Sequence, residues 1–122
     1  MNPLLDDDKT SVSFFKNEVQ KFVKDRNWTK FHTPKNLIQA LSIEVSELSE
    51  IFLFREISLG TIKGDKSLLE NISDEIADVF IYLISLVNSL NLDLTGAFSK
   101  KMEKNKIKYS LDEFNNGTYH KL

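Results

Sequence analysis

The apolar residues of this 122-residue chain recur mostly at helical spacing, and strand-like alternation is hard to find. The pattern predicts four helices, over residues of about 13–26, 34–55, 67–90 and 94–109. Glycine and proline are scarce, with four and two copies, so few positions interrupt these segments. The predicted fold is therefore all-α, a four-helix bundle.

Local signals mark where the predicted helices begin. Thr33 and Pro34 combine a cap residue with proline at the first helical position. The segment 67–70, Ser-Leu-Leu-Glu, has the spacing of a capping box and is predicted to open the third helix. Asp93 is the expected cap of the fourth helix, and residues 56–66, with Gly60 and Gly64, are predicted to form a loop.

The faces of the helices indicate what each one buries. The first helix is expected to turn Phe15, Val19, Phe22 and Val23 inward. The third helix is apolar nearly all round between Ile76 and Leu90, which is more than one small chain can easily cover. We therefore expect a homo-oligomer built through this helix. The alternative is a single, tightly closed four-helix bundle.

Length and composition bound the function classes. The chain is predicted to be one domain, with a core of about residues 13–109 and a tail, 110–122, that is loose or docks on a partner. A net charge of −2 without an extensive basic stripe gives no indication of nucleic-acid binding. The first eight residues lack the features of a signal peptide, and the longest apolar run, 79–86, is too short for a membrane span. We expect a cytoplasmic protein that binds no membrane.

Two pairs of acids carry the candidate chemistry. Glu44 and Glu47, and likewise Glu75 and Asp78, are three residues apart, which places both carboxylates of a pair on one helix face. Both pairs lie among apolar residues, where an ionised carboxylate is costly unless a cation or strong donors compensate. Two facing helices with such pairs would form an all-oxygen site for a hard divalent cation, Mg²⁺ first and Mn²⁺ as a substitute. The alternative places all four acids on solvated helix faces.

Other chemistries fit the sequence less well. A di-iron bundle needs Glu-x-x-His pairs, and neither His32 nor His120 follows a glutamate by three residues. The absence of cysteine excludes thiol chemistry, and no glycine-rich phosphate loop is present. Lys101, Asn105 and Lys108 form one stripe on the fourth helix and are candidates for binding phosphate, against the alternative of a solvated basic face.

Aromatic residues near the acids suggest a pocket for a nucleobase. Trp28 and His32 lie in the connection that leads into the acid-bearing second helix, and Tyr82 follows Asp78 by one turn on the acid-bearing face. Phe31 and Phe54 are also available, but we expect both of them in the core. A carboxylate-bound cation, lysines and aromatic faces together indicate a nucleoside phosphate ligand.

The arrangement resembles the MazG-like nucleotide pyrophosphohydrolases of the all-α NTP pyrophosphohydrolase superfamily, and within them the dCTP pyrophosphatase branch. The resemblance spans about residues 14–109 and rests on four segments that occur in the same order. The first two are Arg26-Asn27-Trp28-x-x-Phe31-His32-x-Pro34-x-Asn36-Leu37 and Glu44-Val45-x-Glu47-Leu48-x-Glu50. The last two are Asp74-Glu75-Ile76-Ala77-Asp78-Val79-x-Ile81-Tyr82-Leu83 and Lys101-Met102-x-x-Asn105-x-x-Lys108-Tyr109.

The resemblance implies Mg²⁺-dependent hydrolysis of a (deoxy)nucleoside triphosphate, dCTP or a related pyrimidine deoxynucleotide, to the monophosphate and pyrophosphate. It implies that Glu44, Glu47, Glu75 and Asp78 bind the metal. It further implies phosphate contacts from Lys101 and Asn105 and a nucleotide pocket formed with Trp28, His32 and Tyr82. Glu47 is the candidate general base and Lys101 a second catalytic residue. A homotetramer or dimer, with sites formed between subunits, is also implied.

Two departures from the dCTP branch bear on base selectivity. Phe54 stands late in the second helix, where that branch tends to have tryptophan. Ser110 follows Lys108 and Tyr109, where the branch often has a proline after an Arg-Tyr pair. A dUTP- or modified-nucleotide-preferring enzyme is therefore a rival interpretation. A further rival is a helical oligomer that binds Mg²⁺-nucleotide without turnover, as a sensor or interaction module.

Overall fold

The computed structural model describes residues 5–122, and within that range helices are the only regular secondary structure. The five α-helices are α1 (Val12–Asp25), α2 (Pro34–Glu50), α3 (Leu59–Gly64), α4 (Lys66–Ser89) and α5 (Leu94–Lys108), and a 3₁₀ turn, Thr29–Phe31, precedes α2. The all-α prediction is confirmed. The interpretation of the first residues as lacking a signal peptide rests partly on residues 1–4, which lie outside the described range. No single described helix is long and apolar enough to cross a membrane, and α4 and α5 meet that test only when joined across their break.

The starts of the first two long helices follow from their cap residues. Ser11 precedes α1, and its hydroxyl accepts a hydrogen bond from the Phe14 amide at 3.1 Å. Thr33 caps α2 in the same way, accepting from the Asn36 amide at 3.3 Å, and Pro34 occupies the first helical position as predicted.

Three details differ from the sequence-based expectation. α2 ends at Glu50 rather than near residue 55, because the chain tightens into turns whose amide-to-carbonyl bonds span three residues, and Phe54 adopts a positive φ of 58°. Residues 59–64 form the short helix α3 instead of a loop, capped by Ser58. α4 is capped by Asp65, whose carboxylate accepts from the Leu68 amide at 3.0 Å, so Ser67 does not begin a capping box.

The chain divides into two compact units, of which the first ends at Asn91. In this unit α4 is the central helix and packs against α2, α1 and α3. Leu37 of α2 and Ile84 of α4 are the most deeply buried large side chains. The Ser89 hydroxyl at the end of α4 donates to the His32 carbonyl just before α2, whereas Glu44 in mid-α2 lies beside Glu75 and Asp78. The helices α2 and α4 therefore run antiparallel.

The second unit, Leu92–Leu122, contains α5 and the C-terminal tail. Asp93 stands at the cap position of α5, but its side chain accepts no hydrogen bond from the first turn. The tail folds back on the end of α5, where the Tyr109 ring contacts Phe114 and the Tyr109 hydroxyl accepts from the Leu122 amide at 3.1 Å. The boundary between the two units thus precedes α5. The single-domain assignment stays a prediction.

Candidate metal centre and nucleotide pocket

The packing of α2 on α4 brings the two acid pairs together. Glu44, Glu75 and Asp78 each offer one carboxylate oxygen, and these three oxygens lie within 4.8 Å of one another. Glu44 and Glu75 are half-buried, and Asp78 is exposed. Because the members of each pair are three residues apart, both carboxylates of a pair point to the same side of their helix. Two helices thus supply one cluster of oxygen ligands.

Glu47 lies beside this cluster but outside its tight group of three. Its side chain is exposed, and its carboxyl interacts with those of both Glu44 and Glu75. The structure therefore brings all four predicted acids into one place. It also separates three tightly grouped residues from a fourth that is more open to solvent.

The cluster is electrostatically unfavourable without a cation. Burial raises the pKa of Glu44 above its usual value, and the charge and hydrogen bonding of Glu47 and the charges of Asp78 and Glu75 raise it further. Burial likewise raises the pKa of Glu75, with Glu47 and Asp78 as the next contributors. None of the ion pairs between described residues involves these acids. Like charges therefore face one another here without a basic partner.

Two buried oxygens in the cluster lack a hydrogen-bond partner. They are Oε2 of Glu44 and Oε2 of Glu75, which no donor within residues 5–122 reaches. A buried carboxylate oxygen without a partner is costly, and a bound cation would satisfy both oxygens at once. Carboxylates are the ligands that hard divalent cations such as Mg²⁺ and Mn²⁺ prefer. The residues present therefore fit a divalent cation.

A cavity of about 700 Å³ extends from the acids to the aromatic residues. Glu44 and Asp78 line it together with Trp28, His32 and Tyr82, the three residues predicted for the nucleotide pocket. Its remaining walls come from α1 and α4, namely Phe15, Glu18, Val19, Phe22, Val23, Ala77, Phe80, Ile81 and Ser85. A single cavity thus joins an oxygen-rich end to an aromatic end.

Local backbone contacts hold the Trp28 end of the cavity. Asn27 adopts a positive φ of 56°, which ends α1, and the Trp28 amide donates to the Val23 carbonyl at 3.0 Å. The indole meets the Phe22 ring edge-to-face at 5.9 Å, and the guanidinium of Arg26 lies 3.7 Å from the centre of that ring. Trp28 is still 44% exposed, which leaves part of its indole free to contact a ligand.

His32 is fixed between the 3₁₀ turn and the end of α4. Its carbonyl accepts from the Ser89 hydroxyl at 3.2 Å, and its imidazole lines the cavity. Burial lowers the pKa of His32 below its usual value. Near neutral pH the ring is therefore uncharged and offers one donor and one acceptor.

Several sequence expectations about aromatic residues need correction. Phe31 and Phe54 were expected in the core, but they are 57% and 97% exposed, because one lies in the 3₁₀ turn and the other in the turns after α2. Neither residue lines the cavity. Phe15 and Phe22 of α1, expected to be core residues, form cavity wall instead. Their spacing of seven residues marks one helix face, but apolar spacing alone does not distinguish a core from a pocket.

Lys101 and Asn105 lie on α5 in the second unit. Lys101 is exposed and Asn105 half-buried, and the Asn105 carbonyl accepts from the Tyr109 amide at the end of the helix. Their contacts with phosphate stay a prediction.

The chain is similar in sequence to a known protein family and to several known proteins. The model of the MazG-like family matches residues 39–120. The dCTP pyrophosphatase 1 of Rattus norvegicus is 34% identical over 90 residues, covering 73% of this chain and 53% of the rat protein. The human dCTP pyrophosphatase 1 is 34% identical over 93 residues, with the same coverage, so the chain spans about half the length of these relatives.

A solved structure shares the fold at higher sequence identity. It is a pyrophosphatase from Archaeoglobus fulgidus, 39% identical, with a TM-score of 0.69 over 77% of this chain and 87% of that chain. The family match covers both acid-bearing segments beyond residue 39 and extends through α5. The chain belongs to the MazG-like family.

Proposed function

We propose that the protein hydrolyses a (deoxy)nucleoside triphosphate to the monophosphate and pyrophosphate with a divalent cation, Mg²⁺ first and Mn²⁺ as a substitute. The observation that carries the proposal is the single cavity that joins the acid cluster to Trp28, His32 and Tyr82. The names of the relatives, dCTP pyrophosphatase 1 and pyrophosphatase, support the same reaction. The preferred substrate is a pyrimidine deoxynucleotide, with dCTP first.

The proposed roles follow from the placement of the acids. Glu44, Glu75 and Asp78 would hold the cation with Glu47 beside them, and a bound cation would supply charge stabilisation for the triphosphate. Water attacks the α-phosphorus, the bond from that phosphorus to the bridging oxygen breaks, and pyrophosphate leaves. Glu47, exposed to solvent next to the cluster, accepts the proton of the attacking water.

The aromatic end of the cavity binds the nucleoside. Trp28 stacks on the base, Tyr82 lies one turn beyond Asp78 on the same face of α4, and the neutral imidazole of His32 hydrogen-bonds a base edge. Lys101 and Asn105 contact the phosphates. In the cell we propose a cytoplasmic role in nucleotide house-cleaning, without nucleic-acid or membrane partners.

Replacing Trp28 by alanine tests the stacking. We expect KM to rise for every accepted nucleotide with little change in kcat, because stacking of about 1–3 kcal/mol per base acts on ground state and transition state alike. Phe54→Ala is the matched control, since Phe54 is exposed and lies outside the cavity. Steady-state kinetics with dCTP measure both variants, and an unchanged KM in Trp28→Ala contradicts the base pocket.

Replacing Lys101 by alanine tests the phosphate contact. We expect kcat to fall about 10-fold or more, because charge developing on the departing pyrophosphate is greatest in the transition state. Lys100→Ala removes a neighbouring exposed lysine on α5 and should leave kcat near the wild-type value. Equal rates in both variants would remove Lys101 from the catalytic residues.

We further propose a homo-oligomer, a homotetramer or dimer. Large apolar side chains on α4 that do not line the cavity stay exposed in one chain, namely Leu69, Ile76 and Leu83. An exposed apolar surface of this kind favours association. Light scattering at micromolar concentration should report a dimer or tetramer, and a stable monomer would contradict the prediction.

A further inference from the structure

The main cavity shares part of its lining with a second, smaller cavity. The smaller cavity has a volume of about 290 Å³ and shares Val19, Val23, His32 and Ser85 with the larger one. These four residues therefore form the wall between the two spaces. The five remaining lining residues of the smaller cavity are all polar, namely Gln20, Lys24, Thr29, Asn88 and Ser89.

Ser85 is the buried polar residue of this wall. It is only 4% exposed, and it lines both cavities. Two other helical serines, Ser46 and Ser73, donate their hydroxyls to the carbonyl four residues earlier on exposed parts of their helices. A serine hydroxyl on a cavity wall can instead donate to or accept from a polar group of a ligand.

The position of Ser85 on α4 aligns it with the proposed site. It follows Asp78 by seven residues and Tyr82 by three, so all three residues lie on one face of the helix. The seven residues correspond to roughly 10 Å along the helix axis. That distance leaves room for a sugar and a single aromatic ring between the acid end of the cavity and Ser85.

We infer that the Ser85 hydroxyl hydrogen-bonds the polar edge of the substrate's base and is a specificity-determining residue. The inference rests on the proposed function, since it takes the ligand of the cavity to be a nucleotide. His32 lies on the same wall and brings its imidazole to the same end of the cavity. A hydroxyl can donate or accept, and a neutral imidazole does both at fixed positions, so the two match a pyrimidine edge that carries both kinds of group.

Binding of nucleosides tests Ser85 without requiring turnover. Trp28 is the single tryptophan of the chain and lines the cavity, so its fluorescence reports occupancy. The probes are deoxycytidine and a deoxyriboside that carries a phenyl ring, which retains stacking but lacks a polar edge. The variants are Ser85→Ala, Ser85→Thr, which keeps a hydroxyl, and Ser73→Ala as a matched control on the exposed face of α4.

We expect Ser85→Ala to weaken deoxycytidine binding about tenfold, equivalent to about 1.4 kcal/mol, and to leave binding of the phenyl analogue unchanged. Ser85→Thr should retain most of the affinity, and Ser73→Ala should match the wild type. Unchanged deoxycytidine binding in Ser85→Ala overturns the inference. Equal weakening of both ligands also overturns it, since that result indicates packing rather than recognition. If the wild-type protein binds both ligands equally well, it does not recognise the polar edge of the base, and the inference is wrong.

The failure of the inference and that of the proposed function are distinguishable. Pyrophosphate release from nucleoside triphosphates by the wild-type protein reports the reaction independently of Ser85. Release with unaltered base preference in Ser85→Ala refutes only the role of Ser85. Absence of release with an intact nucleoside preference refutes the reaction and leaves the base contact standing.

Discussion

Pyrophosphate release should fall at least ~100-fold in Asp78→Asn and in Glu75→Gln, because each change removes a charged oxygen ligand and bound divalent cations contribute several kcal/mol to the transition state. The two residues come from the cluster whose oxygens lie within 4.8 Å of one another. The fold should survive, since neutralising one member reduces repulsion among the four acids. Steady-state assays at saturating Mg²⁺, with circular dichroism as a check of folding, measure the effect.

Glu70→Gln is the matched control for this prediction. Glu70 is an exposed glutamate on α4, five residues before Glu75 and outside the acid cluster. It should retain near-wild-type activity. Near-normal activity in both cluster variants would refute the metal centre. Loss of activity in Glu70→Gln as well would show that the assay responds to surface charge on α4 in general.

The second large effect concerns stability in the absence of metal. We expect Glu44→Gln to raise the free energy of unfolding of the metal-free protein and to abolish most of the stabilisation by Mg²⁺. In the wild type, a cation at 100 times its Kd should add about 2.7 kcal/mol. For a small domain, such a gain corresponds to a rise in Tm of roughly 10 °C or more. Thermal melts with EDTA and with Mg²⁺ measure both parts of the prediction.

The pH dependence of this effect has a definite sign. The pKa values of Glu44 and Glu75 are raised above the ordinary 4.5, so the folded state binds protons more readily than the unfolded state. The favourable contribution of these two carboxyl groups to the free energy of unfolding is complete below pH 4.5. It is lost as the pH rises through their raised pKa values. The stability gap between Glu44→Gln and the metal-free wild type should therefore widen from about pH 4.5 towards neutrality. A gap that narrows over this window would contradict the electrostatic account.

The sequence predicted the parts of the fold that depend on local signals. Thr33 and Pro34 define the start of α2, and the spacing of the acids within α2 and α4 correctly indicated that each pair shares one helix face. The end of α2 was predicted too late, because the apolar spacing continues through residues 51–54 while the backbone turns away. The helix α3 was missed because two glycines argued for a loop.

Features that depend on long-range packing were not accessible from the sequence. The contact between Ser89 and the His32 carbonyl joins residues 57 positions apart, and that between Asn88 and the Lys16 carbonyl joins residues 72 apart. The first contact ties His32 to the end of α4, and the second ties α1 to α4. Phe22 was assigned to the core because an apolar residue on an inner helix face has the same pattern whether it meets protein or a ligand.

The most direct test of the central claim is the identity of the products from a nucleotide panel with Mg²⁺ in ¹⁸O-labelled water. The account predicts equal amounts of monophosphate and pyrophosphate, with the label in the monophosphate, and faster turnover of dCTP than of ATP or GTP. Label in the pyrophosphate would place the attack on the wrong phosphorus. Orthophosphate with a nucleoside diphosphate, or binding without turnover, would contradict the proposed reaction.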